Sequence, residues 1–324
     1  MIRIALDAMG GDHAPAEIIR GALSASGSGD IQIVLVGNEK VLKSIKKAST
    51  FEIVHASEVI GMHESPVSSV KQKKDSSINV ALNLLKEKKV DAVISAGNTG
   101  ALIASALFKL GRIEAVERPA IATVFPTMNG GKVLLLDMGA NVDCKPKNLL
   151  QFAQMGSQYA GHVMHVKNPR IGLLNIGEET EKGNELTADT YPLLKESGLN
   201  FIGHIEGGDI LTGKTDVVVC DGFIGNIILK FGESATSMVF KLIKKEMLRN
   251  PVSMLGATLL LPALLGIKKK IDYDEFGAAL ILGLNGIVFK AHGRAKAKAI
   301  KNAIKSCAES VKENIVESIS CGIK

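Results

Sequence analysis

The 324-residue chain has no tryptophan, and Phe, Trp and Tyr together make up 4% of it. Recognition of single-stranded nucleic acid needs successive aromatic platforms for the bases, so nucleic acid is not an expected partner. The four cysteines, Cys144, Cys220, Cys307 and Cys321, show no C-x-x-C spacing. A zinc site or a disulfide framework is therefore not expected, and reduced thiols are. His162 and His165, three apart, have no carboxylate or thiol close by in sequence, so no metal is expected there either. The opening MIRIALDAMGGDH reaches Asp7 without the apolar core of a signal peptide, which argues against export. The fingerprint G-x-G-x-x-G and the nucleophile elbow G-x-S-x-G are both missing. That removes the usual signals for NAD and for a serine-hydrolase triad. GDILTGKT, Gly208 to Thr215, fits the P-loop expression, but a working P-loop starts a helix at its Lys-Thr. Here Thr215 runs straight into the strand-like DVVVCDG.

What remains is apolar and weakly basic. Hydrophobic residues reach 46% and charged residues 22%, with a formal net charge of +6. A chain this long can bury a substantial core. The positive excess suits an acidic partner or an anionic surface, although solvated faces are its commonest origin.

Short runs IRIALDAM, IQIVLVG, FEIVHA, DAVISAG, AIATVFP, KVLLLDMG, RIGLLNIG, NFIGHIEG and DVVVCDG read as strands. Their Val, Ile and Leu are continuous rather than alternating, the pattern of strands covered on both faces. Helix-length segments separate them, so a mostly parallel sheet between helix layers is expected, in one α/β domain spanning 1–324. In such sheets ligands bind beyond the carboxyl ends of the strands. Glycine-rich polar turns recur there: DAMGGDH, SAGNTGA, DMGAN, NIGEETEKG and DGFIGN. SAGNTGA also opens an apolar helix that Asn98 or Thr99 can cap, an anion site at a helix N-terminus. Five such turns predict a shared cleft. Two later helices are expected. One, at 230–248, places Phe231, Ala235, Met238, Val239, Leu242 and Ile243 on a core face, and the other runs from Ala295 to Ile319.

Taken together, LDAMGGDHAP, SAGNTGA, ERPAIAT, LLLDMGAN, LLNIGEE with Lys182-Gly183, DVVVCDGFIGN and KAHG resemble, in the same order, the PlsX family of acyl-ACP:phosphate acyltransferases. The resemblance runs from Ile2 to the last helix. It implies a three-layer α/β/α fold akin to phosphotransacetylases and the isopropylmalate dehydrogenase group, and a homodimer. It also implies transfer of a long-chain fatty acyl group from acyl carrier protein to inorganic phosphate, with no cofactor. The acyl phosphate would pass to a glycerol-3-phosphate acyltransferase of phospholipid synthesis. Two positions depart from relatives: Lys71, where arginine is frequent, and Arg294-Ala295 after AHG, where small hydroxyl residues are common.

Such a reaction needs little covalent help, because phosphate is already an anionic nucleophile and a thioester already has a good leaving group. It needs orientation and preplaced donors for the oxyanion. The amides and side chains of Asn98, Thr99 and Gly100 are the expected phosphate holders. Asn141, Asn226 and His292 are candidate donors to the oxyanion or to phosphate, and Lys182 is the candidate charged clamp. Asp7, Asp12, Asp137 and Asp221 are expected to orient these groups, since a carboxylate beside phosphate repels it. His13 is either a general acid for the departing thiolate or structural. The runner-up function is a phosphotransacetylase-like enzyme using short acyl-CoA. A non-catalytic membrane scaffold is a third, and the five polar turns count against it.

The residues 250–267 carry no formal charge. The stretch is shorter than the roughly 20 residues a membrane span needs and contains Pro251, Gly256, Pro262 and Gly266, so a single crossing is not expected. Leu255, Leu259, Leu260, Leu261, Leu264 and Leu265 fall all round a helical wheel, which means burial. Two settings fit: a dimer contact, or the apolar tip of a helical hairpin at 230–272 dipping into a bilayer interface. Lys241, Lys244, Lys245, Arg249, Lys268, Lys269 and Lys270 ring the stretch against Glu246 alone. That ring favours an anionic membrane surface, with a cytoplasmic protein peripherally bound to the inner face of the plasma membrane.

Overall fold

The computed structural model describes residues 1–27, 29–271 and 277–323, apart from the side chains of 268–271. The nine expected strands are all present: β1 (Ile2–Asp7), β2 (Ile31–Gly37), β3 (Glu52–His55), β4 (Ala92–Ser95), β5 (Ala120–Pro126), β6 (Lys132–Leu136), β7 (Ile171–Leu174), β8 (Phe201–Ile205) and β9 (Val217–Val219). Two more, β10 (Ala278–Leu282) and β11 (Ile287–Ala291), lie between Gly277 and His292. The sequence reading misses them because both are short and set among glycines, and β11 carries a lysine. All eleven form one sheet in the order β3-β2-β1-β4-β11-β10-β5-β6-β9-β7-β8. It is mostly parallel, as expected; only β11–β10, β10–β5 and β5–β6 pair antiparallel.

Helices cover both faces. They are α1 (Ala16–Ala25), α2 (Glu39–Ser44), α3 (Pro66–Gln72), α4 (Ser77–Lys86), α5 (Thr99–Lys109), α6 (Pro146–His162), α7 (Glu185–Glu196), α8 (Gly222–Met247), α9 (Pro251–Ile271), α10 (Ala297–Lys312) and α11 (Ile315–Gly322). Ile4 and Leu6 of β1 join one core with Ile18 of α1, Phe152 of α6 and Ile300 and Ile304 of α10. The alternate residue Ala5 joins a second core with Ile78 and Leu82 of α4 and Leu102 of α5. β1 is thus apolar on both sides, as are the other central strands, which is why their runs are continuous.

Three expectations change. The helix foreseen from Ala295 to Ile319 is two, because Asn314 takes a left-handed φ of 46° between α10 and α11, a conformation asparagine tolerates better than most residues. The face expected at 230–248 is not core. Of α8 only Gly222 and Gly225 are buried, and Phe231, Met238, Val239 and Leu242 are exposed. After its first turns the helix leaves the sheet, and among the described residues of one chain nothing buries that face. The leucines, finally, lie along α9 rather than at the turn joining it to α8. Leu255 and Leu259 are 68% and 78% exposed, Leu260, Leu261 and Leu265 are also exposed, and Leu264 is half-buried. Pro262 is accommodated inside the helix. The side chains of Lys268, Lys269 and Lys270 lie outside the described residues. Among these residues no helix is long and apolar enough to cross a membrane.

GDILTGKT behaves as its context predicts. A short 3-10 turn, Gly207–Asp209, takes up its first two residues and β9 follows it. Lys214 pairs with Glu178 and Asp209 instead of facing a phosphate loop.

Candidate active site

Three adjacent parallel strands end in a polar row. Leu6 pairs with Ile94 and Ser95 with Lys290, so Asp7, Ser95 and Lys290 close β1, β4 and β11 side by side. Asp7 is fully buried. Its Oδ1 accepts the amides of Met9 and Gly10, both at 3.1 Å, and its Oδ2 accepts Ser95 Oγ at 2.6 Å. Ser95 Oγ in turn accepts the Gly97 amide at 3.0 Å. A Cβ at Gly10 would stand 2.4 Å from Asp7 Oδ2 and 2.7 Å from Gly97 N. Only glycine lets the turns after β1 and β4 meet this closely. The turn after β11 joins them: the Asp12 amide donates to the Gly293 carbonyl at 2.8 Å.

Asn98 caps α5, its Oδ1 accepting the Ala101 amide at 3.0 Å. Its Nδ2 faces the carbonyls of Gly61, Met62 and Glu64 at 3.3, 3.1 and 3.1 Å. The side chain therefore has no donor left for an anion, and the expectation that it contacts phosphate is revised: it is a latch. The Thr99 and Gly100 amides, in the first turn of α5, have no acceptor among the described residues. A helix start of this kind presents free N–H groups and the positive end of the dipole to an anion.

The second half of the sheet builds a similar turn after β6. Asp137, also fully buried, accepts Ile121, Gly139 and Ala140 amides on Oδ1 at 2.9, 3.2 and 3.0 Å. Its Oδ2 accepts the Asn141 amide and Nδ2 at 2.7 and 2.9 Å. Asn141 Nδ2 also donates to the Pro119 carbonyl at 2.7 Å. Asn141 is thus committed to holding this turn and not free to meet an oxyanion, contrary to its expected role. Asp7 and Asp137 act as expected, as buried organisers of loop amides.

α8 links the two halves. Asp221 caps it, accepting the Ile224 amide at 2.9 Å, and its first turn lies so close that a Cβ at Gly225 would strike the Asp137 carbonyl. Asn226 stands against Gly139, half-buried, with no hydrogen bond to its side chain among the described residues. Seven residues on, about 10.5 Å along the same helix face, Glu233 Oε2 lies 3.9 Å from His292 Nε2. The turns after β6 and β9 and, through His292, the turn after β11 thus border α8.

Lys182 stands apart from that face. Its loop lines a cavity of about 400 Å³ with Leu174, Asn175, Gly183 and Thr187, closed by Asp221 and by Ile224 and Ile228 of α8. That stripe lies about 160° round the helix from Asn226. The ammonium is exposed and bonded to Glu179 Oε1 at 2.9 Å, which holds its pKa above the usual lysine range. Cys220 also lines the cavity, and burial pushes its thiol up; Cys144 is pushed up to about 11. Neither is a thiolate nucleophile. His13 and Asp12 are exposed in the first turn, and Asp12 Oδ2 lies 3.8 Å from Arg294 Nε. Lys71 rests over the Phe108 ring at 5.6 Å. His165 does meet carboxylates in space, its donor atom lying within 4.8 Å of those of Glu309 and Glu313, a contact across elements that sequence spacing conceals. Sequence reading missed Ser95, Glu233 and Lys290. The signal for Lys290 was a single lysine inside the apolar run IVFKA.

These features define an α/β/α protein with a free helix N-terminus at a glycine-lined cleft. The fold is shared with a phosphotransacetylase of Streptococcus pyogenes (TM-score 0.65, 15% identity, 96% of this chain and 94% of that one). It is shared too with a 4-hydroxythreonine-4-phosphate dehydrogenase of Klebsiella pneumoniae (TM-score 0.55, 18% identity, 96% and 98%). The chain belongs to the fatty acid synthesis protein family, whose model matches residues 2–318. A relative from Heliobacterium modesticaldum, named phosphate acyltransferase, is 53% identical over 307 residues, 93% of this chain and 91% of its own.

Proposed function

We propose that the chain is a phosphate acyltransferase that moves a long-chain acyl group from the thioester of acyl carrier protein to inorganic phosphate. One observation carries the reading: the turn from Ser95 to Gly100 leaves the Thr99 and Gly100 amides without an acceptor among the described residues, on the strand ends that carry the buried Asp7–Ser95–Lys290 row. A phosphate oxygen held there attacks the acyl carbon, and the carbon–sulfur bond breaks with the electron pair leaving on the carrier thiolate. Asn226 donates to the oxyanion of the tetrahedral intermediate, the kind of preplaced donor that most lowers such a barrier. His292, set by Glu233, donates to the oxyanion or to phosphate. Lys182 clamps the anionic carrier arm at the rim, and His13 protonates the thiolate. Asn98 and Asn141 hold the two turns in place.

The exposed face of α8 at Phe231, Met238, Val239 and Leu242 fits a second copy of the chain, giving a homodimer. The leucines of α9, with the basic residues around them, fit the anionic inner face of the plasma membrane, where acyl phosphate passes to a glycerol-3-phosphate acyltransferase. The test is phosphate-dependent thiol release from palmitoyl-ACP, run beside acetyl-CoA and a control lacking phosphate. Preference for acetyl-CoA would replace this reading with a phosphotransacetylase, and release without phosphate would remove it.

A further inference from the structure

Lys290 is a buried cation that the chemistry above does not use. It is 8% exposed, and among the described residues no carboxylate lies within ion-pair distance of Nζ, whose hydrogen bond goes to the Ala291 carbonyl. Its side chain shares the sheet face of Val288, the face covered by Leu102 of α5. The cation and the free first turn of α5 therefore occupy the same side of the sheet at the same strand ends. An unpaired buried ammonium is strongly unfavourable and calls for a counter-charge. Asp7 and Asp12 act on it through space, but burial outweighs them and pushes its pKa down to about 8. Asp7 is two strands away, and both its oxygens are already taken. Asp12 faces Arg294. Two amides and one ammonium on the same side of the sheet, at the same strand ends, thus lack an anion among the described residues.

We propose that Lys290 is a phosphate-binding cation of the acyl transfer, lying beneath the α5 terminus and neutralising the anion held at Thr99 and Gly100. The inference rests on the phosphate site assigned above. Lysine is charged below its pKa, so phosphate capture is complete below about pH 8 and weakens as pH rises through it. Inorganic phosphate is already the dianion there and adds no titration of its own. The other groups beside Lys290 do not shift the sense of this change: Ser95 is not ionisable in this range, and the carboxylates Asp7 and Asp12 both favour the charged ammonium.

The experiment is steady-state kinetics on the full chain with inorganic phosphate varied and palmitoyl-ACP saturating, from pH 6.5 to 9.5. Lys290→Met is expected to raise the phosphate KM about 10- to 100-fold, the range for losing a charged hydrogen bond, with the carrier KM within about twofold of wild type. In the wild type the phosphate KM climbs about tenfold per pH unit above 8, and Lys290→Arg flattens that climb, since a guanidinium stays charged. A Lys290→Met enzyme with unchanged phosphate KM overturns the proposal, as does a climb in Lys290→Arg identical to wild type. The arginine profile decides the matter if the methionine variant does not fold. A Thr99→Pro variant with unchanged phosphate KM, beside a raised one in Lys290→Met, keeps Lys290 and removes the α5 terminus instead.

Discussion

The side-chain amide of Asn98 donates to the backbone carbonyl of Glu64 at 3.1 Å, so the residue that caps α5 also ties down the loop in front of it. Asn98→Ala removes the cap and the latch together. A lost cap costs about 1 kcal/mol and the loop bonds roughly 1–2 more, so urea unfolding should show about 2–3 kcal/mol of lost stability. The phosphate KM should rise with it as the terminus frays. Full stability with abolished phosphate binding would instead mean that the side chain touches phosphate.

Thr99→Pro tests the terminus without touching the latch. Proline is favoured in the first helical turn and removes one backbone N–H. Asn98, at φ −59° and ψ 119°, already has the extended conformation that a following proline requires. The variant should fold with an unchanged melting temperature and raise the phosphate KM about tenfold, since one hydrogen bond to a charged group is lost.

Asn226 and Asn141 should separate cleanly. Asn141 holds Asp137 and Pro119 through buried bonds, so Asn141→Ala should cost about 2–3 kcal/mol of stability by stranding them. Asn226 has no such bonds among the described residues. Asn226→Ala should leave the unfolding midpoint nearly unmoved while lowering kcat about 100- to 1,000-fold, the usual loss of an oxyanion donor. Unchanged turnover in Asn226→Ala would remove it from the chemistry.

Lys182 gives an activity test uncluttered by folding. Its pair with Glu179 is exposed on both sides, and such pairs contribute little stability. Lys182→Ala should therefore melt with the wild type and raise the KM for the anionic carrier substrate, more at low salt than at high, since exposed charges are screened. An effect indifferent to salt would argue against a clamp.

Strand existence was legible because buried parallel strands leave continuous Val/Ile/Leu runs such as VLLLD, whatever they pack against. β10 and β11 escaped because their five-residue runs look like one glycine-rich loop until the sheet places them between β4 and β5. The turns were legible too, since glycine beside Asp or Asn marks close backbone approach. Their wiring was not. That Asn98 and Asn141 spend their amides on carbonyls, or that Glu233 reaches His292, depends on partners 34, 22 and 59 positions away in sequence. The α8 face misled for a related reason: periodicity reports that a stripe must be covered, not by which chain.

That same ambiguity governs α9, where leucines surround the helix and stand exposed in the isolated chain. An all-round apolar helix in water has no stable setting, so it must be met by another protein surface or by lipid. Lys241, Lys244 and Lys245 are exposed close by, and each basic residue near an anionic bilayer contributes about 1 kcal/mol. A protein partner needs no such charge, whereas a phosphatidylglycerol vesicle does. The chain should therefore co-sediment with anionic vesicles, lose that binding as salt is raised, and ignore neutral ones. Leu260→Glu with Leu261→Glu should abolish sedimentation, because two carboxylates must then enter the interface, while acyl transfer in solution continues. Vesicle binding retained by the double variant would remove the α9 leucines from the membrane contact.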